Sequence, residues 1–340
     1  MRIRTLGRAV GPAALLALTL AATACGASKD TGNQAGGTAG ADTKPVTDLR
    51  ILVPNSPGSG YDTTARTAAK AMEDAKLARN IEVFNQAGAG GVVGLQHLVN
   101  DKGNASLLMQ MGLGVVGSVY TNKSKATLND TTPIAKLIEE AEAIVVPKGS
   151  PYNTLQDLVT AWKADPGKVP VGGASNPGGP DHLTPMLLAK AVGVTPKDVN
   201  YVSYDGGGEL LAGILGKKVA FAATGVGEVA EQAKAGEVKI LAVTSEQPVT
   251  DVDAKTLKEQ GIDLVFTNWR GIVAAGGLSD DKKQAHINLL TKMHDSKEWQ
   301  AALEAKGWTD AFQSGDEFAA FLKSEDQRVA GVLGELGLAT

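Results

Sequence analysis

Arg270, in the run Asn268-Trp-Arg-Gly271, carries the planar guanidinium best suited to hold a carboxylate with two parallel hydrogen bonds. A second set of residues could act on the same ligand without a charged side chain. The segment from Ile51 to Arg66 reads as a strand, a Pro/Gly/Ser loop and a helix opened by Asp62, Thr63 and Thr64. A strand that passes through a glycine-rich turn into a capped helix aims several backbone N–H groups at one point. That point is also the positive end of the helix dipole, so the expected guest is an anion. No lysine or arginine lies between Ile51 and Ala65, so the grip would come from backbone and hydroxyl groups of Ser56, Gly58, Ser59, Gly60, Tyr61 and Asp62.

The same pattern recurs in three later loops. Ala174–His182 contributes Ser175, Gly178, Gly179, Asp181 and His182; Tyr204–Glu209 contributes Tyr204 and Gly206; Thr224–Glu228 is the third. Any one of these is an ordinary α/β turn. Four of them, split one against three between two halves of the chain, read as facing walls of a binding site. A charge-assisted hydrogen bond contributes about 1.5–3 kcal/mol, so a few reach the roughly 8 kcal/mol of micromolar affinity. Two residues keep open alternatives: Arg270 as a salt bridge tying the halves together, and Trp269 as plain packing rather than a pocket wall beside Tyr61.

Other chemistries fit poorly. Gly112-Leu-Gly-Val-Val-Gly117 matches a dinucleotide fingerprint but lacks the acidic residue about 20 positions later; Gly112 and Gly114 are read as loop residues near the cleft. No Gly-x-Ser-x-Gly elbow occurs. The histidines His97, His182, His286 and His294 lack metal-ligand spacing, so neither metal nor cofactor is expected.

The N-terminus reads as an address. Arg2, Arg4 and Arg8 precede an apolar stretch, and Ala22-Thr-Ala24 precedes Cys25, the one cysteine of the 340 residues. Residues 1–24 are therefore expected to be a lipoprotein signal peptide, with Cys25 lipidated and residues 25–47 a flexible tether. An internal disulfide is impossible. Removing residues 1–24 takes away three arginines and no acid, moving the net charge from −4 to −7. A mildly acidic body with few aromatics argues against nucleic acid. No later apolar run of about 18 residues suggests a membrane span.

From Leu49 onward, short apolar runs alternate with helical segments, which indicates an α/β protein with largely parallel sheets. The segments Ala141–Pro151 and Asn268–Ala275 read as two crossings between lobes. One lobe would comprise residues 48–142 and 268–340, the other 143–267, with the ligand in the cleft between them.

These motifs, in order, resemble the TctC/Bug family of solute-binding proteins of tripartite tricarboxylate transporters. The resemblance runs from Leu49 to the C-terminal helix and rests on Val53–Asp62, Phe84–Gly91, Gly173–Gly178, Tyr201–Gly208, Val238–Ser245 and Asn268–Gly271. It implies a two-lobed, periplasmic-binding-protein-like fold of the type II, Venus-flytrap kind, with two mixed sheets and a hinge of two crossing segments. It also implies a carboxylate grip by the first strand–helix loop and a facing loop of the second lobe. Ser59 stands where the family commonly has glycine, and Asn176–Pro180 is richer in proline than the usual loop. The runs Tyr61–Arg66 and Asn268–Gly271 are closest to the branch associated with citrate-like tricarboxylates.

The expected protein is thus an extracytoplasmic, lipid-anchored and monomeric binding protein. It would close on a small carboxylate and deliver it to the membrane subunits of a transporter. A secreted enzyme acting on organic acids would need a nucleophile–base pair that the sequence does not offer. A sensor subunit for a signalling receptor would have the same fold.

Overall fold

The computed structural model describes residues 44–204 and 206–339. The expected signal peptide, Cys25 and nearly all of the expected tether lie outside the described residues. The first half builds β1 (Val46–Thr47), β2 (Arg50–Val53), α1 (Gly60–Asp74), β3 (Ala78–Arg79), β4 (Glu82–Asn85), α2 (Val92–Asn100), β5 (Leu107–Gly112) and α3 (Leu113–Thr121). A 17-residue strand, β6 (Thr131–Pro147), leads onward to α4 (Leu155–Ala164), β7 (Val171–Gly173), α5 (Pro180–Val192) and β8 (Tyr201–Ser203). Then come α6 (Gly207–Leu215), β9 (Phe221–Gly225), α7 (Val226–Lys234) and β10 (Val238–Val243). The chain closes with β11 (Thr267–Ala275), α8 (Asp280–His294), α9 (Lys297–Lys306), β12 (Thr309–Ser314) and α10 (Asp316–Glu335).

Apart from β1 and β3, which pair only with each other, the strands follow one hydrogen-bonded path, β4-β2-β5-β11-β6-β9-β7-β8, with β10 and β12 also paired to β6. β6 joins two lobes. Its residues Thr131–Ala141 pair with β11, while Glu142–Val145 pair with β9 and Ala143–Pro147 with β10. On either side the outer strands are parallel, β2 with β4 and β5, and β7 with β8 and β9. The centre is antiparallel, because β11 runs counter to both β5 and β6. The expectation of largely parallel sheets therefore holds for the outer strands and fails at the crossing, which makes the sheet mixed.

The acidic pair Glu139-Glu140 lies inside β6, which continues through both. Lys136 Nζ holds Glu139 Oε2 at 2.8 Å, and Arg270 of β11 holds Glu140, so both carboxylates are neutralised within the sheet. Buried side chains form separate cores on the two sides. Leu52, Met109, Trp269 and Phe318 lie in one, Ile51, Leu108 and Trp299 behind it, and Trp162, Val171 and Phe221 in the second lobe. Trp269 is fully buried between Phe318 and Phe321, and its Nε1 donates to Glu325 Oε2 at 3.1 Å. It packs the core rather than walling a pocket, and it fixes the strand on which Arg270 is the next residue.

Candidate functional site

The site begins where β2 gives way to α1. Gly58 takes φ +81°, a conformation that favours glycine, and turns the chain toward the helix. Ser59 caps α1, its Oγ accepting from Asp62 N at 3.3 Å. Asp62 then ties the corner together: its carboxylate accepts from Gly58 N at 2.9 Å, Arg66 Nε at 3.0 Å and Asn85 Nδ2 at 2.9 Å. Burial alone would raise this carboxyl, but those donors outweigh it and hold it below the usual carboxylate range. Asp62 is therefore a strut that shapes the loop. The amides of Gly60 and Tyr61, in the first turn of α1, precede the first intrahelical bonds and sit at the positive end of its dipole.

Arg270 reaches the same place from β11. A Cβ built on Gly60 would lie 2.5 Å from Arg270 Nη2, so the guanidinium rests directly on the opening residue of α1. A cation beside a helix N-terminus is unfavourable unless an anion joins them. Glu140 is that partner here, Thr64 Oγ1 accepts from Nη1 at 3.4 Å, and Nε has no partner among the described residues.

Tyr61 closes one side. Burial pushes its phenol up to about 12 against the pull of the Arg270 charge, and its hydroxyl oxygen accepts from the backbone N–H groups of Gly114 and Val115. With those amides occupying oxygen lone pairs, the hydroxyl proton is left to donate. Gly114 belongs to α3, which corrects its reading as a loop residue: β5 runs straight into this helix, whose glycines mask its apolar pattern.

The facing wall comes from the second lobe. Asp181, in the first turn of α5, accepts from Ala174 N at 2.8 Å and Ser175 Oγ at 2.9 Å. Burial, followed by the neighbouring Glu228 charge, pushes its carboxyl up to about 6. Glu228, in the first turn of α7, accepts from Thr224 Oγ1 at 2.7 Å. Between the walls lies a cleft of about 660 Å³. Ser56, Gly58, Ser59, Gly60, Tyr61, Ser175, Gly179, Asp181, Tyr204, Gly206 and Arg270 all line it.

Three expected residues are placed behind the surface instead. Asp62 is the strut already described. Gly178 donates its N–H to His182 Nδ1 at 3.2 Å, and His182 packs edge-on against Tyr201 with ring centroids 4.8 Å apart. Burial pushes this imidazole down to about 4, so it supports the loop as a neutral acceptor.

The cleft also includes Glu228, from the expected loop Thr224–Glu228, together with Asn55, Gly88, Gly90, Gly91, Ser118 and Asn268, for which no site role was expected. The glycine run was visible as a motif but had no side chain to suggest a role. Its residues take φ of +143°, +63° and +103°, and a Cβ on Gly90 would meet Ser118 Oγ at 2.0 Å. Among the described residues no group of three or more His, Cys, Asp or Glu could hold a metal ion.

Comparison with known proteins places the chain in a family. A family model described as the tripartite tricarboxylate transporter family receptor, TctC, matches residues 64–338. Protein BugT of Bordetella pertussis is 28% identical over 87% of this chain and 91% of its own length. A crystal structure of a TctC solute binding protein from Polaromonas shares 26% identity, covers 86% of this chain and 100% of that one, and superposes with a TM-score of 0.72. MatC of Rhodopseudomonas palustris with bound malate shares 21% identity and a TM-score of 0.69, over 85% of this chain and 99% of its own.

Proposed function

This chain belongs to the tripartite tricarboxylate transporter receptor family, and we propose that it is an extracytoplasmic receptor that closes on a small carboxylate. The observation that carries this reading is the convergence of the α1 amides at Gly60 and Tyr61, the Tyr61 hydroxyl and the Arg270 guanidinium on one cleft between two lobes. Binding favours the closed arrangement, a population shift rather than a chemical step. The lobes would be residues 48–142 with 268–340, and 143–267, hinged where β6 and β11 cross. The bound solute would pass to the membrane subunits of a tripartite transporter, with lipidated Cys25 keeping the receptor at the outer face of the membrane.

A citrate-like trianion is the family-level expectation, and the pocket narrows it. Arg270 is the one basic side chain among the described lining residues and already faces Glu140, while Asp181 and Glu228 stand opposite. A single carboxylate held by α1 and Arg270 suits that charge pattern better than three. The malate carried by a structural relative shows that this fold can hold a small carboxylate.

Calorimetric titration with mono-, di- and tricarboxylates tests the reading. A carboxylate at 100 times its Kd adds about 2.7 kcal/mol of stability, so thermal shift supplies a rapid screen. Binding of a neutral solute, with no response to any organic acid, would refute it.

A further inference from the structure

We propose that the cleft takes a zwitterion, a carboxylate that also carries an ammonium group, with Asp181 and Glu228 forming the subsite for the cation. This rests on the carboxylate grip at α1 and Arg270 and specifies the other end of the ligand.

The two walls are built alike but differ in charge. In the first lobe the acid that ties the loop to its helix, Asp62, has a cation beside it, with Arg66 Nε 3.0 Å away. In the second lobe the corresponding acid, Asp181, has no ion-pair partner among the described residues. Its neighbours are the carboxyl groups of Glu228 and Glu142. Glu142 is fully buried where β6 enters the second lobe, and neither of its oxygens has a hydrogen-bond partner among the described residues. The charges it senses are those of Asp181, Glu228, Glu140 and Arg270.

Three carboxyl groups thus gather on one wall, while Arg270 is occupied by Glu140 on the other. Buried like charges without a counter-charge are costly. The missing positive charge comes either with the ligand or as a bound proton. Glu228 favours the ligand, because it is exposed at the cleft surface where an arriving group can reach it.

The test is calorimetry at pH 7.5 with ligands matched in length: gamma-aminobutyrate against succinate, and glycine betaine against its uncharged isostere 3,3-dimethylbutanoate. The ammonium-bearing member of at least one pair should bind about tenfold or more tightly than its partner. Glu228→Gln should remove most of that preference, as should Glu142→Gln, each with an unchanged circular dichroism spectrum. Tighter binding of the dicarboxylate to the wild type overturns the proposal, as does a preference untouched by both variants. Succinate affinity that rises about tenfold per unit fall in pH would assign the missing charge to a proton, likewise overturning it while leaving the carboxylate grip intact. Failure of every acid to bind would instead refute the grip itself.

Discussion

Gly117 offers a direct way to test closure. It lies on α3 of the first lobe and touches Gly178 of the second, which sits in the loop before α5 at φ +94°. A Cβ added at Gly117 would come 1.9 Å from the Gly178 carbonyl oxygen and 2.5 Å from its carbon, against the 3.4 Å at which ordinary contact begins. The loop would have to recede by about 1.5 Å. The obstructing atoms are backbone, so no rotamer change relieves the collision. Overpacking of this kind costs about 1–3 kcal/mol, and a hinged protein avoids the cost by parting its lobes. Gly117→Ala should therefore weaken carboxylate binding by roughly 5- to 150-fold, at 1.36 kcal/mol per factor of ten. Its unfolding midpoint without ligand should barely move. Isothermal calorimetry reads the first effect, and small-angle scattering should show a larger radius of gyration with saturating ligand. Unchanged affinity would refute the reasoning, because the two glycines would then have no part in closing. An affinity loss matched by an equal loss of unliganded stability would place the strain within one lobe.

Other consequences follow from the same contacts. Arg270→Ala should lower carboxylate affinity by at least tenfold, for monocarboxylates and dicarboxylates alike; unchanged affinity in calorimetry would mean that the guanidinium serves only Glu140. Gly60→Ala places a methyl group against that guanidinium and should weaken binding about tenfold or more while leaving the fold intact by circular dichroism. His182, pushed down to about 4 from 6.5, contributes stability that is fully present above pH 6.5 and lost as pH falls toward 4, about 3 kcal/mol in all. Asp181, pushed up to about 6, acts with the opposite sign: its contribution is complete below about pH 4 and lost as pH rises through 6. Denaturant titrations of His182→Asn should therefore lose the acid-side decline between pH 6.5 and 4; an undiminished decline would show that His182 is not its source.

Much of the site was legible because its physics is local. A glycine turn followed by a cap residue and a helix can be read from Pro54–Asp62 and Gly173–His182 without knowing what lies opposite. Arg270 stood out by its chemistry, since a guanidinium on an apolar strand needs an anion. What stayed hidden depends on distant partners. The path of β6 through Glu139 and Glu140 is intelligible only once Lys136 and Arg270 are seen beside them. The helix α3 was obscured because Gly114 and Gly117 lower helix propensity, while the contacts that require them are with Tyr61 and Gly178, far away in sequence. His182 looked like a ligand group because it opens a helix in a binding loop. Only its burial against Tyr201 shows it turned inward.

A crystal structure with a tightly bound carboxylate tests the central claim most directly. One carboxylate group should lie within hydrogen-bond distance of the Gly60 or Tyr61 amide and of Arg270, with the remainder of the ligand directed toward Asp181 and Glu228. A ligand whose carboxylate lies away from α1, or a cleft that stays empty while binding occurs elsewhere on the molecule, would contradict the account.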